Sequence, residues 1–213
     1  MSAQRKIVIL LHENDRESRL RGYFIQALRE VWLESGCKVE ILRGVSRHVE
    51  ADVMIPHIDA TVLPQAYVDF LEKYPRVVNR HVRDISKKTI SRNLLNQNDS
   101  YDGPVIVKTN LNCGGAPELS FTEPKIFFSA QKINSWRSWF NRKRRSSDWA
   151  KINCMKPEDY QVFASLKEVP EPVFANPWLV VERFLPERGN DLYYLRIYKF
   201  FGDRAYAARY VDL

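Results

Sequence analysis

Apolar runs and segments of helical period alternate along the first third of the chain. A continuous apolar run over Lys6–Leu11 (KIVILL), bounded by polar residues, predicts a buried strand of a parallel sheet that is covered on both faces. Apolar residues then recur at intervals of three and four, which predicts a helix that ends near Gly36. The predicted apolar face of this helix consists of Leu20, Phe24, Ala27, Leu28 and Val31.

Three further strands and a second helix are predicted before residue 80. The strands span residues 38–42, 52–58 and 76–79. Pro64 opens a helix between the last two strands, and its apolar face carries Tyr67, Phe70 and Leu71. Strands that alternate with helices imply right-handed crossovers, so residues 1–80 are predicted to form an open parallel α/β sheet.

The pattern changes after residue 80. Residues 84–95 (DISKKTISRNLL) predict a helix with Asp84 as its N-cap, and residues 103–108 (GPVIVK) predict a strand. Residues 156–166 (KPEDYQVFASL) predict another helix. Three strands then close the chain at 178–184, 193–201 and 204–211, and a tight turn joins the last two into a hairpin.

Composition narrows the class of protein. The 213 residues are 45% hydrophobic, enough for a folded protein with one sizeable core or two small ones. The longest apolar runs hold only about five to seven residues, far fewer than the roughly 20 of a membrane-spanning helix. Three widely spaced cysteines without a CxxC pair argue against a disulfide framework or a zinc site. We therefore expect no membrane partner and a reducing, cytoplasmic location.

Positive charge is concentrated in one insertion. Residues 131–151 hold seven basic residues and one acidic residue, and so supply six of the seven net positive charges. Three tryptophans lie among them: Trp136, Trp139 and Trp149. A basic segment interleaved with aromatic rings can bind nucleic acid through phosphate contacts and stacking. The favoured interpretation is a solvated helix that turns its tryptophans inward, so we do not expect nucleic acid as a partner.

Four motifs follow one another in the order NRHVRDISKKTIS, GPVIVKTNLNCGG, LVVERFLPE and YLRIYKFFGD. Their order and spacing resemble the ATP-grasp family of nucleotide-binding enzymes, and the segment before them resembles that family's N-terminal domain. The resemblance implies a pre-ATP-grasp-like α/β domain over 1–80 and an incomplete ATP-grasp α+β module over 81–213. In that module, residues 81–185 would form the nucleotide-binding lobe with the basic insertion, and residues 186–213 would begin a second lobe.

The resemblance implies a phosphate-binding side. A strand lysine supplies a point charge at a fixed place, and Lys108 occupies the family's position. Lys87 would make a second phosphate contact, whereas Lys88 would lie at the surface. The loop after Lys108 would bring its backbone N–H groups close to the phosphates. The residues proposed for this loop are Asn110, Asn112, Gly114 and Gly115. The alternatives to these phosphate contacts are that Lys108 lies at an exposed strand end and that Lys87 lies on a solvated helix face.

The motif LVVERFLPE would hold the adenine. An adenine ring needs an apolar slot and a backbone donor and acceptor at its edge, which a strand that runs into a hinge provides. The main chain of Glu182, Arg183 and Phe184 occupies the family's hinge positions. The slot would be lined by Val180, Val181, Phe184 and Leu185. Glu187 would accept the ribose hydroxyls, with Asp191 as a rival.

Further residues are assigned to the chemistry. Arg196 would stabilise the charge of the phosphoryl-transfer transition state as a catalytic residue. The alternative is that Arg196 pairs across strands with a carboxylate on an exposed sheet face. His57 and Asp59 follow a predicted strand of the first sheet, where α/β folds commonly hold ligands, and would touch the acceptor substrate. A structural histidine is the favoured interpretation of His57.

The expected cofactors are ATP and Mg2+, and the expected reaction is ATP-dependent ligation of a small carboxylate to an amine or thiol. The family places its metal ligands, commonly Glu-x-Asn, on strands near the end of the C-terminal lobe. Only two predicted strands follow the hinge, so neither Asp203 nor Asp212 is assigned as a metal ligand. We therefore expect this chain alone to be inactive, with an open hairpin edge that favours self-association. The alternative is a non-catalytic nucleotide-binding module, or a basic adaptor for nucleic acid or an acidic partner.

Overall fold

The computed structural model describes residues 4–15, 22–122, 148–189, 192–201 and 204–212, so most of the basic insertion and its first two tryptophans lie outside the described residues. The described chain is a mixed α/β structure with one parallel and two antiparallel sheets. None of its helices is long and apolar enough to cross a membrane. The helices are α1 (Phe24–Glu34), α2 (Gln65–Leu71), α3 (Lys87–Ile90), α4 (Ala116–Thr122) and α5 (Glu171–Ala175).

The strands form three sheets in the described part of the chain. The parallel sheet has the order β2-β1-β3, the first antiparallel sheet has the order β4-β7-β5-β6, and the second has the order β10-β9-β8. The strands are β1 (Lys6–Leu11), β2 (Lys38–Arg43), β3 (Val53–Pro56), β4 (Leu94–Leu95), β5 (Val105–Thr109), β6 (Gln161–Phe163), β7 (Leu179–Arg183), β8 (Glu187–Gly189), β9 (Leu192–Phe201) and β10 (Arg204–Asp212).

Strand β1 is the centre of the parallel sheet, and its alternating side chains enter two cores. Val8 and Leu10 pack with the buried face of α2, which includes the predicted Tyr67, Phe70 and Leu71. Ile7, Ile9 and Leu11 pack with Ile25 of α1 on the other side. The continuous apolar run thus forms a strand that is covered on both faces, as predicted.

Two N-terminal predictions need correction. Helix α1 turns Ile25, Leu28 and Trp32 toward the sheet, while Phe24 and Val31 are 62% and 55% exposed. The spacing of apolar residues alone does not distinguish the helix face that contains Phe24 and Val31 from the neighbouring face that contains Ile25. Contact with β1 and β3 buries the face that contains Ile25. The predicted strand over 76–79 is reduced to a single parallel bridge between Met54 and Val77. Pairing stops there because the backbone turns, with φ of 55° at Asn79.

The first antiparallel sheet has one buried face and one partly open face. Val105 and Val107 of β5 and Leu179 and Val181 of β7 belong to a core cluster that also includes Trp149. Ile106 lies opposite Glu182, and Lys108 lies opposite Val180. Because side chains alternate along a strand, these four residues share the face that points away from that core.

Two helix predictions after residue 80 are wrong: the first helix is shorter than predicted, and the second segment is not an α-helix. The helix over 84–95 is limited to α3, after which β4 pairs with β7. Ser86, rather than Asp84, occupies the N-cap position, and the Asp84 carboxylate accepts hydrogen bonds from the Ser86 N–H and the Thr89 hydroxyl. The helix over 156–166 is replaced by a 3-10 turn, strand β6 and a second turn. The edge of β5 offers backbone hydrogen bonds to β6, and this nonlocal pairing overrides the local helical period.

The second antiparallel sheet contains the predicted hairpin. Strands β9 and β10 pair from Tyr193 opposite Asp212 to Phe201 opposite Arg204. Strand β8, which the sequence pattern did not predict, pairs with the other side of β9. The turn between β9 and β10 lies outside the described residues.

Thr61 links the N-terminal elements to the segment after β5. Its backbone N–H donates to the Glu118 carboxylate of α4 at 2.7 Å, and its hydroxyl accepts the Asn112 N–H at 2.8 Å. His12, just after β1, stacks on Phe121 of α4 with 3.9 Å between ring centroids. These contacts hold α4 and the loop before it against the carboxyl edge of the parallel sheet.

Alanine in place of Gly114 is expected to lower the free energy of unfolding by about 3 kcal/mol or more. Gly114 has φ of +72°, and an added Cβ would lie 2.3 Å from the Met155 carbonyl oxygen, a backbone atom that cannot swing aside. Urea denaturation measures the loss. Gly36→Ala is the control, because Gly36 also has positive φ (+79°) but has no heavy atom within 4 Å of the added Cβ. We expect a loss of about 1–2 kcal/mol there, and equal losses in both variants would contradict a role for the Met155 contact.

Candidate functional site

An ion pair lies on the partly open face of the first antiparallel sheet. The Lys108 Nζ is 2.8 Å from Glu182 Oε2, and the Glu182 residue is only 7% exposed. Burial by itself would raise the pKa of Glu182. Hydrogen bonds from Lys108 and Ser91, together with the charges of Lys108 and Lys87, outweigh that effect and lower the pKa. Glu182 is therefore held as a carboxylate that fixes the position of the Lys108 ammonium.

Lys87 brings a second ammonium to this face from α3. Its Nζ donates to the Leu111 carbonyl oxygen at 2.5 Å. Burial lowers the pKa of Lys87, and the Lys108 charge lowers it further, while the charges of Glu182 and Glu118 act in the opposite direction. The neighbouring Lys88 is exposed and donates to the Pro177 carbonyl oxygen at 2.8 Å. Lys88 lies at the surface, as predicted, and Lys87 is half-buried, while its contact with a phosphate stays a prediction.

Asn110 sets the position of α3. Its carbonyl oxygen accepts the Lys87 N–H at 3.0 Å, and its side-chain Oδ1 accepts the Lys88 N–H at 2.8 Å. Its own N–H donates to the Trp178 carbonyl oxygen at 2.7 Å. Asn110 was predicted as part of a phosphate loop, and in the structure it caps the first amides of α3 and so orients Lys87.

The two ammonium groups of the site differ in their contact partners, although the charges of Glu182 and Glu118 both act on Lys87. The Lys108 ammonium is paired with Glu182, whereas no carboxylate oxygen of the described residues lies within 4 Å of the Lys87 ammonium. A half-buried cation that is held by a neutral carbonyl retains a favourable interaction for an incoming anion. The arrangement can therefore bind an anionic group between the two lysines.

The loop Asn112–Gly115 follows β5 as a distorted 3-10 turn. Cys113, Gly114 and Gly115 all have positive φ, at 45°, 72° and 84°. Both glycines are buried against the segment 154–156, where the Met155 N–H donates to the Gly114 carbonyl oxygen at 3.1 Å. The absence of side chains at Gly114 and Gly115 therefore permits close packing within the protein. A phosphate contact from their N–H groups stays a prediction.

The main chain at the predicted hinge is largely engaged within the sheet. The Arg183 N–H donates to the Asn93 carbonyl oxygen and the Phe184 N–H donates to the Pro104 carbonyl oxygen, each at 2.9 Å. Both donors are occupied because β7 lies between β4 and β5. These two groups were expected to meet an adenine edge, and in this structure they instead extend the ladders of β7.

The side chains of the predicted adenine slot are split between two faces. Val181 packs with Val107 in the core, so its assignment to the slot is corrected. Val180 lies on the face that carries Lys108. Leu185 is 65% exposed just beyond β7 and Phe184 is partly buried. The apolar surface that remains beside Lys108 is therefore smaller than the motif predicted.

Arg196 and Glu187 contact each other on the second antiparallel sheet. The Arg196 guanidinium donates to both Glu187 oxygens, at 2.7 and 3.1 Å, and Arg209 Nη2 lies 2.7 Å from Glu187 Oε1. Hydrogen bonding to Arg196 lowers the pKa of Glu187. The alternative interpretation of Arg196, a cross-strand partner of a carboxylate on an exposed face, describes this geometry. Glu187, predicted to bind ribose, already has two cationic partners. Asp191 lies outside the described residues.

His57 and Asp59 follow β3 at the carboxyl edge of the parallel sheet. Asp59 accepts a hydrogen bond from the Tyr23 hydroxyl at 2.7 Å, and the Tyr23 ring meets His57 edge-on at 4.9 Å. Burial lowers the pKa of His57. Its Nε2 is buried without a hydrogen-bond partner. These contacts place His57 and Asp59 beside Tyr23 of the N-terminal part.

Two contributors to the lysine site were not predicted. Ser91 follows α3 and hydrogen-bonds to Glu182, and Tyr160 lies close enough for the charge of Glu182, after burial, to raise its pKa. Tyr160 lies in the segment that the sequence predicts as a helix, and only the strand pairing of β6 brings it near the site. Ser91 is the last residue of the motif that contains Lys87 and Lys88, which was the one signal available in the sequence.

No protein-family model matches the chain, no curated protein matches it, and no solved structure matches its fold. The resemblance to ATP-grasp enzymes therefore rests on the sequence motifs alone, and the function is argued from the geometry of the site.

Glutamine in place of Glu182 is expected to destabilise the fold at neutral pH by about 1–3 kcal/mol, because a charge-assisted hydrogen bond to Lys108 is lost. The folded-state pKa of Glu182 is lowered from 4.5. Its contribution is therefore full above that value and is lost as the pH falls through the folded-state pKa. Urea denaturation of both proteins at a series of pH values checks this.

Glu158→Gln is the matched control, because Glu158 is exposed on a 3-10 turn. We expect it to have little effect at any of these pH values. The Glu182→Gln variant and the unchanged protein should differ less in free energy of unfolding as the pH falls. A difference that stays constant down to the lowest pH at which the protein folds would contradict the ion-pair explanation.

Proposed function

We propose that the face formed by Lys108, Glu182 and Lys87 binds the phosphates of a nucleoside triphosphate, with ATP as the expected ligand. The observation that carries this proposal is the Lys87 ammonium, which is half-buried, close to a second ammonium and held by a carbonyl oxygen instead of a carboxylate. A polyphosphate carries several negative charges in one ligand, so it could contact both ammonium groups.

The geometry supports a preorganised phosphate site. Glu182 orients Lys108 from β7, and Asn110 orients α3 so that Lys87 points to the same region. Because each ammonium group already has a contact partner, Glu182 for Lys108 and the Leu111 carbonyl oxygen for Lys87, neither lysine has to lose much side-chain freedom when an anion binds. Binding of an anion would also relieve the repulsion between the two ammonium groups.

The adenine is proposed to add less to the affinity than the phosphates. The N–H groups of Arg183 and Phe184 already have carbonyl partners, so the ring would rely on apolar contact with Val180, Phe184 and Leu185. Apolar contact recognises the faces of any purine. The proposal therefore includes weak discrimination between ATP and GTP.

ATP-dependent ligation of a carboxylate to an amine or thiol is the activity that the sequence resemblance implies. Magnesium would neutralise phosphate charge in that reaction. The described residues contain no group of three or more His, Cys, Asp or Glu side chains that could hold a metal ion. No step of a reaction is therefore assigned to a metal or to particular acceptor residues.

Nucleotide binding without turnover is the second candidate function. The observation that favours it concerns Arg196, the residue that the resemblance assigns to the transition state. Arg196 is paired with Glu187 on an exposed sheet. An arginine that already forms a bidentate ion pair would have to break it before it could meet a phosphoryl group.

Methionine in place of Lys87 is expected to weaken ATP binding about tenfold to 100-fold, because a charged phosphate contact is removed without loss of packing volume. Isothermal calorimetry at fixed ionic strength measures the dissociation constant. Lys88→Met is the matched control, since Lys88 is adjacent and exposed and has the same charge. Equal effects of the two substitutions would contradict a site at Lys87.

A second set of titrations identifies what is recognised. Lys108→Met is made together with Glu182→Gln, so that no buried carboxylate is left without a partner, and this pair of changes should also weaken binding. Inorganic triphosphate should bind nearly as tightly as ATP. No binding of ATP by the unchanged protein at millimolar concentration would overturn the proposed function.

A further inference from the structure

Strand β10 forms one edge of the second antiparallel sheet. It pairs with β9 along its whole length, and in the described part of the chain no other strand pairs with its outer side. Its side chains from Arg204 to Val211 are exposed on both faces of the sheet except at Ala208, which is half-buried. Tyr206 and Tyr210 are 62% and 50% exposed. A long edge of this kind offers unpaired backbone donors and acceptors to another strand.

The sequence of β10 is complementary to itself when it is read in the opposite direction. If one copy of the strand is laid antiparallel to a second copy about Ala208, Arg204 lies opposite Asp212 and Tyr206 lies opposite Tyr210. The two-fold symmetry repeats each of these pairs, so the register contains two opposite-charge pairs and two aromatic pairs. Pairs of both kinds stabilise adjacent antiparallel strands.

We propose that β10 is a self-association edge, which pairs with β10 of a second copy of this chain and joins the two three-stranded sheets into one. The register about Ala208 keeps positions 204, 206, 208, 210 and 212 of both copies on the same face, as the alternation of strand side chains requires. A symmetric contact of this kind is isologous, so it closes at a dimer and leaves no free edge on β10.

Neighbouring registers are less favourable. A shift of the centre to position 209 places Arg209 opposite its own symmetry mate, and like charges directly opposite are destabilising. A shift to position 207 places Tyr206 opposite Ala208 and leaves Asp212 without Arg204. Arg209 is meanwhile held toward β8 by Glu187, on the other face of the sheet from position 204.

The charge pairs give the first test. Sedimentation velocity across a concentration series should show a monomer–dimer equilibrium with a dissociation constant on the order of 10–100 µM, since the contact is small. Arg204→Asp should weaken the dimer about tenfold, because two attractive pairs become repulsive. Arg204→Asp combined with Asp212→Arg restores opposite charges and should restore the dimer. Lys167→Asp makes the same charge change at an exposed position away from β10 and should have no effect.

Cross-linking tests the register directly. In a Cys113→Ser background, which removes the exposed native thiol, Ala208→Cys should form an intermolecular disulfide under mild oxidation, because position 208 faces itself. Arg204→Cys should not, since its symmetry mate would be eight positions away, about 27 Å at roughly 3.4 Å per residue.

A monomer at about 100 µM would overturn the proposal. So would a dimer that Arg204→Asp leaves unchanged, or a dimer that the Arg204→Cys variant cross-links and the Ala208→Cys variant does not. Circular dichroism of each variant separates loss of association from loss of folding, and restoration by the double charge reversal excludes misfolding as the cause of a weakened dimer.

Discussion

The central position of β7 between β4 and β5 is the constraint on which the described site depends. Pairing on both sides fixes the register of β7, and the register fixes which residues face the core. Val181 must lie in the core because Val107 opposite it does, and Glu182 must therefore lie on the other face, within reach of Lys108. A shift of one residue would bury the carboxylate among apolar side chains and place Val181 beside the lysines.

The same constraint limits what the site can recognise. A central strand uses its N–H and carbonyl groups in the sheet, so the donors at Arg183 and Phe184 are satisfied before any ligand arrives. The charged groups, by contrast, are not all in contact pairs. Glu182 is paired with Lys108, whereas the Lys87 ammonium contacts a neutral carbonyl oxygen. Lys87 is therefore the group on which the proposed binding of an anion depends.

Local patterns predicted most strands correctly, because a strand buried on both faces or in a hairpin leaves a clear signal in its own residues. KIVILL and the β9–β10 hairpin are examples. Residues 156–166 were misassigned because β6 exists only through its pairing with β5, which no local window contains. At the site, the sequence motifs identified Lys87 and Lys108 as candidate phosphate-binding residues. The partners that orient them lie far from Lys87 along the chain, and only the folded structure identifies Asn110 and Glu182 in those roles.

A chain of hydrogen bonds connects the lysine site to the C-terminal end of the basic insertion. The buried Asn176 donates to the carbonyl oxygens of Trp149 and Ile152, each at 2.7 Å, and its Oδ1 accepts the Trp178 N–H at 2.9 Å. The Trp178 carbonyl oxygen then accepts the Asn110 N–H, and Asn110 caps α3. Each member of this chain satisfies a polar group that would otherwise be costly to bury. The position of Lys87 is consequently set by residues on both sides of the insertion.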